Sequence, residues 1–78
     1  MFNADWYLRT YPDVAESGMS AIKHYLTFGA YEGRNPSEDF DTNWYLQIYT
    51  DVVEAELNPL VHYLNYGREE GRHTKANT

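Results

Sequence analysis

Seventy-eight residues make one small domain, whose single core is thin against chain entropy, and with no cysteine neither disulfides nor thiolate metal sites can reinforce it. Aromatic residues, 17% of the chain and mostly Tyr, are the expected substitute, since each buried ring removes a large area from water. The formal net charge of -6, with Arg9, Lys23, Arg34, Arg68, Arg72 and Lys75 scattered, argues against nucleic acid and against an anionic membrane surface.

In chain order, Asn3 is an expected N-cap, with Phe2 before it able to staple onto Tyr7. A first helix starts there and ends near Pro12, which lacks the amide donor and crowds the preceding turn. Asp13 and Glu16 have capping-box spacing and open a short second helix. Ser20 caps a further helix in which Ile22, Tyr25, Leu26 and Gly29 fall at i, i+3, i+4 and i+7, a helical core stripe. Gly29 and then Gly33 are expected in left-handed C-terminal turns.

The same elements then recur. Shifting the chain by 38 places Phe2 and the Trp6-Tyr7-Leu8 run on Phe40 and Trp44-Tyr45-Leu46, and the register holds without a gap to Arg34 and Arg72. Tyr11/Tyr49, Asp13/Asp51, Val14/Val52, His24/His62, Tyr25/Tyr63, Gly29/Gly67 and Gly33/Gly71 are identical pairs. Thr50 replaces Pro12, so the helix break cannot depend on proline alone, and Asn58-Pro59 replaces Ser20-Ala21 as cap and first helical position. Glu56 stands where the first copy has Gly18, which questions the glycine-type turn there.

The predicted fold is therefore all-α: two tandem 38-residue helical repeats, each two main helices plus a short helical turn, packed as one small pseudo-symmetric domain. The domain spans 1–78, with repeat one at 2–39, repeat two at 40–74 and a tail at 75–78. The linker between copies is short, so the halves are expected to bury their rings against one another.

Phe40-Asp41-x-x-Trp44-Tyr45-Leu46, Tyr11-Pro12-Asp13-Val14-Ala15, Asn58-Pro59-Leu60-x-His62-Tyr63-Leu64-x-Tyr66-Gly67 and Glu70-Gly71-Arg72 together carry a resemblance. The pattern resembles a tandem repeat of bacterial proteins, found as an accessory unit in secreted or surface calcium-binding repeat proteins and in glycosyltransferase-containing polypeptides. The resemblance implies an accessory role beside other domains, and it alone favours a secreted or cell-surface location.

Duplication filters the candidate chemistry, because a residue present in both copies is explained more simply by the fold each copy makes. His24 and His62 are each the only histidine of their repeat core, outside any His-x-x-x-His arrangement, and read as structural histidines against aromatics. Asp13 with Glu16, and Asp51 with Glu54, read as caps before calcium ligands, since no dense Asp/Asn/Gly loop accompanies them. Arg34 and Arg72 are at least as well suited to ion pairs with Asp13 and Asp51 as to an external anion. No nucleophile–base pair or glycine-rich phosphate loop is visible, and the reading is a non-catalytic module with no cofactor and no metal site.

Trp6, Trp44 and Tyr31 are candidates to stack on sugar rings, with burial in the core the favoured reading for the two tryptophans. Thr10, Ala15 and Lys23 become Ile48, Val53 and Val61, which makes those three residues of the second copy a candidate partner interface or a seam between copies. The expected partner is a protein or a neighbouring domain of the same polypeptide, or a second copy in a homo-oligomer. A glycan-binding module and a calcium- or zinc-stabilised accessory domain are the alternatives. No apolar run is long enough to insert in a membrane, and the first residues lack the pattern of a signal peptide.

Overall fold

A computed structural model describes residues 2–76 and is mostly helical, with no strand among the described residues. The last two positions of the expected tail lie outside the described residues. Among the described residues six short α-helices run α1 (Ala4–Thr10), α2 (Pro12–Ser17), α3 (Ala21–His24), α4 (Thr42–Ile48), α5 (Thr50–Glu54) and α6 (Pro59–His62). Two π-helical turns, π1 (Tyr25–Gly29) and π2 (Tyr63–Gly67), continue α3 and α6.

Four of the caps are those the sequence signals. Asn3 and Asp41 accept from the amides of Trp6 and Trp44, each at 3.0 Å. Ser20 and Asn58 cap α3 and α6. The breaks after Thr10 and Ile48 fall at equal places despite Pro12 and Thr50, because Tyr11 and Tyr49 leave helical geometry in both halves, with ψ 77° and 75°. Each of these tyrosines donates its amide to the carbonyl of Tyr7 or Tyr45, and its hydroxyl accepts from the amide of Asn35 (2.9 Å) or His73 (2.8 Å). The tertiary bond holds the break where copy two has no proline.

Three local expectations need correction. Asp13 and Asp51 are not caps: Tyr11 and Tyr49 hold those positions without a side-chain cap, and the two carboxylates point elsewhere. Gly29 and Gly67 are not left-handed; positive φ is confined among the glycines to Gly18, Gly33 and Gly71. A Cβ on Gly29 or Gly67 would instead collide with the hydroxyl of Tyr7 or Tyr45. The core stripe of α3 is also displaced. Ala21, His24, Tyr25 and Gly29 face inward, while Ile22 and Leu26 are exposed. Hydropathy ranks Ile22 and Leu26 above Ala21 and His24, but His24 turns inward because a buried hydroxyl meets it.

The π-turns are a consequence of that same hydroxyl. Ala30 and Arg68 donate to the carbonyls five residues back, of Tyr25 and Tyr63, at 3.0 and 2.8 Å. A fifth residue in the turn brings His24 and Gly29, five apart, onto one side, where the Tyr7 hydroxyl sits between them.

The rings are buried within each half. Tyr7 packs on Phe2, Tyr11, His24 and Tyr25; Tyr45 packs on Phe40, Tyr49, His62 and Tyr63. Among the described residues no ring contact crosses between halves, which corrects the expectation that the halves stack ring on ring. They meet through Tyr25 and Thr42, whose hydroxyls are 2.9 Å apart, through Asn35, which accepts from the Thr42 amide at 2.8 Å, and through Asn43 beside Gly33. The result is elongated, 36 × 27 × 19 Å.

Candidate functional site

The polar groups most suggestive of chemistry form two clusters in each half, built by the same local folding. In the first, α1 presents Tyr7 one turn from its cap, and α3 presents His24 at its last residue. Tyr7 Oη lies 2.9 Å from His24 Nδ1, and Tyr45 Oη lies 3.0 Å from His62 Nδ1. Both tyrosines are fully buried, and burial pushes their hydroxyls from 10.0 up to about 12. A hydroxyl so hard to ionise is a poor base or nucleophile. Phe28 and Tyr66 cover the outer side of each imidazole, with ring centroids 5.7 and 5.6 Å away.

In the second cluster the chain leaving π1 brings Arg34 over α2. Its Nη1 and Nη2 donate to both oxygens of Asp13 at 3.0 and 2.8 Å, and its Nε pairs with Glu32 at 3.0 Å. The guanidinium lies 4.8 Å from the centroid of the Tyr11 ring. Arg72 repeats this with Asp51, Glu70 and Tyr49. The hydrogen bonds from Arg34 and Arg72 hold the Asp13 and Asp51 carboxyls below their ordinary 3.8. These arginines are paired inside their own halves, as the ion-pair alternative expected. Among the described residues no buried side-chain N or O atom lacks a partner, and no three His, Asp or Glu side chains converge as a metal site would require.

What remains available is a groove where the halves meet, a cavity of about 550 Å³ lined by Ala30, Tyr31, Asn43, Leu46, Val53 and Leu57 together with Glu56, Asn58 and Pro59. It brings together Tyr31, 85% exposed, and Val53, two candidates of different kinds. Ile48 and Val61 are exposed too but lie outside its lining. Trp6 and Trp44 are half-buried, packed edge-on against Tyr11 and Tyr49 at 6.2 and 6.1 Å. Leu46, Leu57 and Asn43 were missed as groove residues; each belongs to an otherwise ordinary helical pattern, and nothing in their spacing marks them.

The fold is thus a small all-α one whose polar clusters tie helices together. Neither family models, nor curated proteins, nor solved structures yield a match to this chain. No helix among the described residues is long and apolar enough to cross a membrane.

Proposed function

We propose that the chain is a non-catalytic pair of tandem helical repeats, 2–39 and 40–74, stacked pseudo-symmetrically as one module that makes protein contacts or spaces domains in a larger bacterial polypeptide. One observation carries this reading. Two polar pairs occur in both halves with each member held by a partner in its own half: Tyr7 with His24 and Arg34 with Asp13, repeated as Tyr45 with His62 and Arg72 with Asp51. Such groups hold a short chain together and are not free to act on a substrate. The resemblance to accessory bacterial repeats points the same way.

The junction groove is the contact surface of this reading, with Leu46, Val53 and Leu57 supplying apolar area and Tyr31 an aromatic anchor. Heteronuclear NMR titration with the neighbouring domains of the parent polypeptide tests it. Shifts at Tyr31 and Val53 that vanish in Val53→Lys are expected; turnover of a substrate abolished by His24→Gln overturns the non-catalytic reading.

A second reading is favoured by Tyr31 alone, an open ring beside Asn43, Glu56 and Asn58 in one groove. An aromatic face edged by amides and a carboxylate suits a sugar ring. Retention on a glycan array that Tyr31→Ala removes would replace protein contact with glycan binding; no retention removes this alternative.

A further inference from the structure

Positions 38 apart share a local fold but not always the same burial, and the differences map two faces. Tyr25, Ala30 and Ser37 are buried, whereas Tyr63 is half-buried and Arg68 and Lys75 are exposed. Gly33 has Asn43 against it, whereas the space around Gly71 is open. Conversely Thr42 and Leu60 are buried (0% and 2%), whereas Ala4 is exposed and Ile22 is 41% exposed. Each half therefore has a tail face, around Tyr25 and Ala30, and a head face, around Thr42 and Leu60. Inside the chain the first tail covers the second head.

Among the described residues two faces are left without cover: the head of the first half, with Asp5, Leu8 and Ile22, and the tail of the second, with Tyr63, Arg68 and Glu69. Their chemistry has diverged in one direction. At the internal junction Ala30 and Tyr31 share a groove with Asn43 and Leu46, all uncharged. Their counterparts are Arg68 and Glu69 on the free tail, and Asp5 and Leu8 on the free head. Ala30 and Asn43 line one groove inside the chain, so a stacked neighbour would bring Arg68 and Asp5 to the walls of the equivalent groove. Arg9, one helical turn beyond Asp5, shares a surface hollow with it and Leu8.

We propose that this chain associates head-to-tail with a second copy, its Arg68 tail seated on the Asp5 head of the next in the register of the internal junction. This rests on the stacked-repeat reading above. The occupant is a second copy because Arg68 and Asp5 carry opposite charges at equivalent groove positions and because the free faces continue a junction the chain already makes. Such a contact is heterologous and does not close on itself, so the assembly grows beyond a dimer. The net charge of -6 opposes it and keeps it weak.

Sedimentation velocity on Asp5→Lys, Arg68→Glu and their equimolar mixture tests the proposal. Wild type is expected to show a mean mass that rises past that of a dimer as concentration approaches about 1 mM. Each variant alone sets like charges face to face and is expected to associate about tenfold more weakly. The mixture is expected to regain association, because the acid introduced into the tail of one variant meets the base introduced into the head of the other, while native Arg68 still meets native Asp5. Both positions are exposed, and unchanged circular dichroism verifies folding. A wild type that stays monomeric or stops at a dimer, variants that associate like wild type, or a mixture that does not recover would each overturn the proposal. A nuclear Overhauser contact between the Tyr25 ring and the Thr42 methyl separates the two failures. Its presence with a monomeric wild type removes only the head-to-tail contact; its absence removes the stacked-repeat reading as well.

Discussion

The hydroxyl of Tyr25 lies 2.9 Å from that of Thr42, and both groups are buried, so each half supplies one partner of a hydrogen bond that neither could satisfy alone. Thr42→Val keeps the shape and leaves the Tyr25 hydroxyl without its partner, at a cost of about 1–3 kcal/mol. Adding Tyr25→Phe removes the stranded group, so the double variant is expected to be more stable than Thr42→Val alone. Urea unfolding of the four proteins measures this. Strictly additive losses would mean that the two hydroxyls do not interact.

Gly29 is required by the Tyr7 hydroxyl and not by backbone conformation. Gly29→Ala is expected to lose about 1–3 kcal/mol by overpacking, and Gly67→Ala a similar amount against Tyr45. Tyr7→Phe, which clears the colliding oxygen, is expected to recover part of the loss in the Gly29→Ala background even though it is destabilising by itself. A glycine needed for left-handed geometry would show no such recovery.

Glu56 carries φ +58°, the left-handed geometry that Gly18 adopts in the first half at φ +75°. A side chain with a Cβ is strained there, partly offset by glycine's greater freedom in the unfolded chain. Glu56→Gly is expected to raise stability by about 0.5–1 kcal/mol, or roughly 4 °C in Tm for a domain this small. The reverse change, Gly18→Glu, is expected to lower it by a similar amount.

The acid limb of the stability profile should depend on the two arginine clusters. Asp13 and Asp51 have folded-state pKa values below 3.8, so their stabilisation is present above 3.8 and disappears as pH falls below it. Asp13→Asn and Asp51→Asn are each expected to flatten thermal stability between neutral and acid pH, and the pair together more so. An acid limb unchanged in the double variant would place the sensitivity elsewhere.

At high pH the order reverses. Tyr7 and Tyr45 ionise near 10.0 when unfolded and at about 12 when folded, so stability present below 10.0 is lost progressively toward 12. Burial raises Tyr25 as well, against the opposing effect of its hydrogen bond with Thr42, and adds to the same loss. Tyrosinate absorbance followed together with circular dichroism is expected to show the last tyrosines ionising only as the helices melt. Full ionisation with the fold intact would contradict their burial.

Much of this architecture is legible in the residues. The 38-residue self-similarity, the caps at Asn3, Asp41, Ser20 and Asn58, and the break before Pro12 are local signals, written in neighbouring residues and readable without knowing what lies across space. At Glu56 the sequence questions a glycine-type turn, and the structure keeps that turn, with φ +58°. The packing of His24 on aromatic rings and the pairing of Arg34 with Asp13 are expected from the sequence as well. The widened turns at Tyr25 and Tyr63 and the need for Gly29 are not, because each depends on a partner 5 to 22 residues away that spacing cannot identify. The groove that joins Tyr31 to Val53 lies one step further off, since its walls come from different halves. Periodicity orders side chains around a helix by their affinity for water; which of them meets a hydroxyl, a ring or another half is set only when the helices dock.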